Sequence, residues 1–343
     1  MKGKQEINKV NKVNKVNKVN DSKESLKGDF YTFILKKILY SPVARNFLLK
    51  KLEKKIYSDL VEKNVWNFPR NVQIKKYQLI IAALNQIKVN IDKGFISKEY
   101  GEKVIDNFIK YTFGQPELVE GIKKDFKEKY GTRPPIFILF SPTQKCGLNC
   151  AGCYASARID APTLPYPIVD KIVDEVHNEW GNRFMTISGG EPLMYKSEGK
   201  TLFDIFEKYP KMFFHFYTNG TLITKGIAEK MKKLGNVTPA ISIEGFEKET
   251  DERRGKGVYK RILEAAKNLR EAGVVFGVSI TATSKNFDLL MKDDFYDFVF
   301  NELGATYMWM FQLMPVGQAR NMKDCMINPE QRVKLHIPAL LHF

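Results

Sequence analysis

The stretch IFILFSPTQKCGLNCAGCY, residues 136–154, opens on bulky apolar residues and closes on three cysteines. The apolar run directly follows Pro134-Pro135 and has the length and composition of a buried strand. Cys146, Cys150 and Cys153 then form a C-x3-C-x2-C run immediately after it. Thiolates grouped so closely hold zinc or an iron–sulfur cluster. A structural zinc site takes four ligands, often as two paired sets, and the one other cysteine, Cys325, is far away in sequence. Three thiolates on a four-iron cubane leave one iron open to a substrate or cofactor.

Working outward, the texture of residues 136–141 recurs. Further short β-rich runs fall at 183–188, 213–218, 238–243, 275–282 and 306–313. Helical periodicity follows them at about 165–180, 201–209, 224–234, 259–272, 288–303 and 329–341. Strands alternating with helices predict βα units and a parallel sheet. Six such units fit an open partial barrel or a doubly wound sheet, and periodicity does not choose between them.

Ser188-Gly-Gly-Glu-Pro192 closes the second strand candidate. Two glycines let backbone approach a ligand closely, and Pro192 fixes the exit of the turn. Tyr217-Thr-Asn-Gly220 and Ser242-Ile-Glu-Gly245 close the third and fourth strands, at the edge where parallel sheets and barrels bind ligands. Asp251-Glu-Arg-Arg254-Gly255 follows.

The cysteine run after strand one and SGGEP after strand two resemble the radical S-adenosylmethionine (radical SAM) superfamily, and D-x-x-R-G resembles its peptide-modifying, SPASM-type branch. The resemblance covers about residues 134–320. It implies an α/β fold, a six-stranded partial (βα)6 TIM-like barrel, and a 4Fe-4S cluster held by Cys146, Cys150 and Cys153. It further implies SAM bound by Gly189, Gly190, Glu191, Ser242 and Arg254, the last gripping the carboxylate with paired hydrogen bonds. The implied activity is reductive cleavage of SAM to a 5′-deoxyadenosyl radical that abstracts hydrogen, with a peptide or protein side chain favoured over a small metabolite as substrate. The implied partner is a flavodoxin- or ferredoxin-type reductant. The competing reading is a non-catalytic iron–sulfur or SAM-binding remnant. The sequence departs from the branch at Gly152, where an aromatic residue is common, and in lacking a cysteine-rich C-terminal extension. The final HIPALLHF carries no polar cap or glycine stop, which suggests a shortened version of a longer relative.

The chain has 343 residues, a formal net charge of +16, 43% hydrophobic and 27% charged residues, which excludes a wholly disordered chain. Of that charge +13 falls in residues 1–130 and +3 in 131–343. The split argues against a nucleic-acid footprint on the chemistry-bearing half. Residues 8–20 repeat a polar Asn-Lys-Val triplet, and 1–27 read as a disordered tail. Residues 28–130 read as a helical region, and 131–343 as the barrel domain. Within the helical region residues 30–56 are basic and amphipathic, suited to pack on the barrel, to meet an acidic peptide segment, or to make peripheral contact with an anionic membrane surface. No apolar run long enough for a membrane span and no secretory h-region occur, and a cytoplasmic location is expected. Met308, Met310 and Met314 with Trp309 resemble a soft-metal or substrate lining, but alternate residues on a buried strand read first as core positions, and His215 faces either the barrel interior or the helices.

Overall fold

The computed structural model describes residues 32–335 apart from Trp66, Gly114 and Gln115. The expected tail at 1–27 and the end of the last helical pattern lie outside the described residues. Six strands form one sheet in sequential order: β1 (Leu139–Phe140), β2 (Phe184–Ile187), β3 (Phe213–Thr218), β4 (Val237–Ser242), β5 (Gly277–Ala282) and β6 (Tyr307–Gln312). Every neighbouring pair is parallel.

The sheet curls into a half-barrel. Two strands lie between β3 and β6, so in a flat sheet those strands would stand about 14 Å apart. Yet the His215 and Tyr307 ring centroids are 5.7 Å apart, and those of Tyr217 and Phe311 5.4 Å. These rings meet across the concave face. The alternate residues face outward, where Met185, Ile187, Phe214, Phe216, Ile241, Val278 and Ile280 are buried in the main core.

The helices include α1 (Pro42–Tyr57), α2 (Arg70–Asp92), α3 (Lys98–Val104), α4 (Pro116–Tyr130), α5 (Tyr166–Asn178), α6 (Leu202–Lys208), α7 (Lys225–Leu234), α8 (Glu247–Arg254), α9 (Val258–Ala272) and α10 (Pro329–Leu335), besides shorter helical turns. Their caps follow the sequence. Thr224 Oγ1 accepts the Ile227 N–H at the start of α7, and the Asp251 carboxylate accepts the N–H groups of Gly257 (2.6 Å) and Tyr259 (2.8 Å) where α9 begins. Buried on the outer layer are Val169 and Val173 of α5, Phe206 of α6, Met231 of α7 and Leu269 of α9.

The amino-terminal helices close the lower end of the half-barrel. The Tyr100 hydroxyl, on α3, donates to the Val237 carbonyl at the start of β4 (2.7 Å). Asn90, on α2, donates to Thr306 Oγ1 (2.9 Å) just before β6. Phe108 lies against Phe213 at the foot of β3, with ring centroids 4.7 Å apart. No helix among the described residues is long and apolar enough to cross a membrane.

Three local expectations change. Strand one pairs through only two residues, because it lies at the sheet edge behind two prolines, and Ile136 is exposed. The helix expected at 288–303 is broken into Phe287–Leu290, Asp293–Asp297 and a π segment, Phe298–Glu302. Met314 is exposed, whereas Met308 and Met310 pack on the core.

Candidate functional site

The cysteine loop, the diglycine turn and the ends of β3, β4 and β5 gather at the carboxyl edge of the sheet, where parallel strands leave their loops free to carry ligands. The pairing of β1 with β2 continues into the loops. Ser188 N–H donates to the Phe140 carbonyl, Gly190 N–H to Thr143 (2.9 Å) and Glu191 N–H to Lys145 (2.7 Å). This close approach is what the glycines permit. Gly189 adopts φ +118°, and a Cβ there would lie 2.3 Å from the Thr143 oxygen; at Gly190 it would lie 2.2 Å from that of Lys145. The diglycine thus receives the first limb of the cysteine loop.

Glu191 is fully buried. Its carboxylate accepts from Leu193 N–H (3.1 Å), Thr218 Oγ1 (2.8 Å) and Asn219 N–H (2.8 Å). Burial raises its pKa, and these donors oppose the rise. Asn219, fixed by that carboxylate, directs its side-chain N–H to the Cys146 sulfur at 3.6 Å, and the Leu148 N–H approaches the same sulfur at 3.4 Å. Burial pushes the Cys146 thiol up, and the Leu148 donor offsets part of the rise.

The second limb is held from α8. Ala151 N–H donates to the Arg253 carbonyl (2.8 Å), and Arg253 Nε donates back to the Ala151 carbonyl (3.2 Å). The guanidinium groups of Arg253 and Arg254 both donate to Oε1 of Glu244, each at 2.5 Å. Its Oε2 accepts the Thr281 N–H at 3.1 Å. Glu244 is buried at the end of β4. The Arg254 Nε is buried too and has no partner among the described residues. A third hold comes from the segment after β6, where Gln318 N–H donates to the Cys153 carbonyl (3.0 Å) and Met322 lies against Gly152.

The three predicted cysteines therefore share one loop, with Cys146 buried and Cys150 and Cys153 partly exposed. Among the described residues no three His, Cys, Asp or Glu side chains are grouped to hold a single metal ion. A cubane asks for something different, since each thiolate binds its own iron, and a loop of three spaced thiols fits that donor set. The Arg254 Nε is an orphaned buried donor of the kind that an anionic ligand group would satisfy. Gly189, Gly190 and Glu191 lie at the loop's first limb. Ser242 Oγ lies 3.0 Å from Ser279 Oγ on the neighbouring strand. Tyr154 joins the group through its hydroxyl, 2.6 Å from Ser188 Oγ.

Sequence reasoning gave no role to Asn219 or Glu244, although both lie in strand-end motifs that it quoted. Their signal was a polar side chain at a strand's carboxyl end. Cys325 lies outside the cysteine loop, but its segment runs alongside through Met322. On the concave wall His215 is buried among Phe184, Tyr217, Tyr307 and Trp309. Burial lowers its pKa to about 4, and its Nε2 has no partner among the described residues.

Comparison with known proteins reaches the same region. Residues 140–285 match the family profile described as the Radical SAM superfamily. An AdoMet-dependent heme synthase of Methanosarcina barkeri is 32% identical over 196 residues, covering 54% of this chain and 53% of the relative. The mycofactocin maturase MftC of Mycolicibacterium smegmatis is 29% identical over 212 residues, 61% of this chain and 51% of that protein. The chain spans about half the length of the curated relatives it matches. Among solved structures, Streptococcus suis SuiB bound to its precursor peptide SuiA shares the fold, with a TM-score of 0.52 at 21% identity over 62% of this chain and 47% of SuiB. Since the matched stretch runs from β1 to just beyond β5, sequence and fold agree, and residues 140–285 form a radical SAM domain.

Proposed function

We propose that this protein is a radical SAM enzyme in which Cys146, Cys150 and Cys153 hold a 4Fe-4S cluster beside a SAM site formed by Gly189, Gly190, Glu191, Ser242 and Arg254. The observation that carries this reading is the cysteine loop itself, tied at three points and supplied with two N–H donors at the Cys146 sulfur. When bound, cluster and SAM supply an electron and a 5′-deoxyadenosyl radical for hydrogen abstraction from the substrate.

The chain's own residues bind and orient. Asn219 and Leu148 direct partial positive charge at one sulfur, which stabilises a thiolate there. Arg254, held by Glu244, keeps a buried donor free for the SAM carboxylate. Glu191 acts through its three protein donors, holding the loops after β2 and β3 in register. His215 is buried on the concave wall, whereas Trp309 and Phe311 present exposed aromatic surface there.

For the substrate we favour a peptide or protein side chain, because the curated relatives include the mycofactocin maturase and a sporulation killing factor maturation protein. The heme synthases among them support a metabolite as the second reading. A flavodoxin- or ferredoxin-type protein would supply the electron.

Anaerobic reconstitution with iron and sulfide, followed by SAM and dithionite, tests the reading. Release of 5′-deoxyadenosine is expected from the native chain and not from Cys150→Ala. A reconstituted native protein that released none would overturn it.

A further inference from the structure

Glu244 makes more of its position than an ordinary ion pair does. One oxygen of a single buried carboxylate receives two guanidinium groups, at 2.5 Å each, and the other receives a backbone N–H from β5. The side chain is 2% exposed, and those of Arg253 and Arg254 are 18% and 12% exposed. Two cations and one anion thus sit together out of bulk water, leaving an excess of one positive charge.

That excess faces the cysteine loop. Arg253 is bonded through both its carbonyl and its Nε to Ala151, the residue directly after Cys150. Arg254 keeps an unpaired, buried Nε. If the cluster of charges served only to fasten α8 to β4, nothing would require its bonds to reach between two cysteines, and burial would favour satisfying every donor.

We propose that Glu244 is a positioning residue that sets both the place and the charge of the cysteine loop's surroundings. It holds Arg253 on the Cys150–Gly152 limb, holds Arg254 at the cofactor side, and cancels one of their two charges. This rests on the iron–sulfur reading given above. The reduced cluster carries one more negative charge than the oxidised one, and positive charge nearby favours reduction. Uncancelled, the two arginines would raise the cluster's reduction potential; with Glu244 present the potential is held lower.

The test uses the reconstituted full chain without SAM, titrated potentiometrically and followed by electron paramagnetic resonance of the reduced cluster. Glu244→Gln, which removes the charge and preserves the shape, should raise the midpoint potential. Arg254→Gln should lower it, and the double substitution should return it close to the native value. In the metal-free protein Glu244→Gln should also speed amide exchange at Ala151, as Arg253 loosens. Potentials that are unchanged, or shifted the other way, overturn the proposal while leaving the cluster assignment standing. If Glu244→Gln does not fold, Arg254→Gln decides alone, and an unchanged or raised potential sinks the idea. Native protein that takes up no cluster overturns the functional reading and this inference together.

Discussion

The carboxamide of Asn219 points its N–H at the Cys146 sulfur from 3.6 Å, across the gap between the loops after β3 and β1. Asn219 is placed by the Glu191 carboxylate, which bonds its backbone N–H, and its own Oδ1 accepts the Thr221 N–H and hydroxyl. Three loops far apart in sequence are thereby joined into one relay that ends on a thiol. Asn219→Asp keeps the acceptor for Thr221 and replaces the donor to sulfur with an anion. Hydrogen bonds to cluster sulfurs favour the reduced state, so the reconstituted variant should hold less iron and show a lower midpoint potential than the native protein. Iron analysis and a potentiometric titration check this, and equal values in both proteins would refute the relay.

The thiols are separable by visible absorbance. Cys146, Cys150 and Cys153 lie on the loop, while Cys325 lies on the segment after β6, where its carbonyl accepts the Ser284 N–H. Cys150→Ala should abolish the brown colour of the reconstituted protein, and Cys325→Ala should leave it. Equal loss in the two variants would remove the distinction.

Gly190 and Gly199 give opposite reasons for glycine. At Gly190 a Cβ would meet the Lys145 oxygen at 2.2 Å, and that oxygen is backbone accepting the Glu191 N–H. At Gly199 φ is +76° with nothing within 4 Å, so alanine meets only left-handed strain. Gly199→Ala should cost about 1–2 kcal/mol by chemical denaturation. Gly190→Ala has to push the cysteine loop away, and should lower iron uptake as well as stability. Normal iron uptake by Gly190→Ala would show that the loop's seat on the diglycine is dispensable.

These contacts mark the limit of what the sequence discloses. The cysteine run, SGGEP and the six strands were legible because each is local: thiol spacing, turn chemistry and short β-rich runs need no knowledge of the rest of the chain. The diglycine was legible as a place of close approach, but its neighbour turned out to be the Thr143–Lys145 backbone. Asn219 with Cys146, and Tyr217 with Phe311, are brought together only when the sheet curls. Glu244 and its arginines are nine and ten residues apart, yet their pairing depends on α8 turning back over the end of β4. The strand-end position was the available clue, and it did not specify a partner.

Tyr100 reports on how the amino-terminal helices hold the half-barrel. It is fully buried, and its hydroxyl donates to the Val237 carbonyl. Tyr100→Phe removes that bond and leaves a buried carbonyl short of a donor, at a cost of about 1–3 kcal/mol. Tyr100→Ala adds a cavity and should cost about 3–5 kcal/mol in total. Denaturant unfolding of the two variants measures both. A loss below about 1 kcal/mol for Tyr100→Ala would mean that α3 does not support β4.

His215 gives the fold a pH dependence whose sign follows from burial. Its pKa falls from 6.5 to about 4 because the charged ring is poorly solvated among Phe184, Tyr217, Tyr307 and Trp309. Between those values the unfolded chain binds a proton that the folded chain does not, so stability rises with pH across that window and is lost as pH falls through it. At one pKa unit per 1.36 kcal/mol the full effect is about 3 kcal/mol. His215→Phe removes the titrating group while keeping a flat ring in the same place. The gap in unfolding free energy between native protein and His215→Phe should therefore shift by about 2–3 kcal/mol between pH 7 and pH 4, with the native protein losing ground in acid. Parallel pH profiles for the two proteins would mean that His215 takes up its proton within the fold as readily as it does in the unfolded chain.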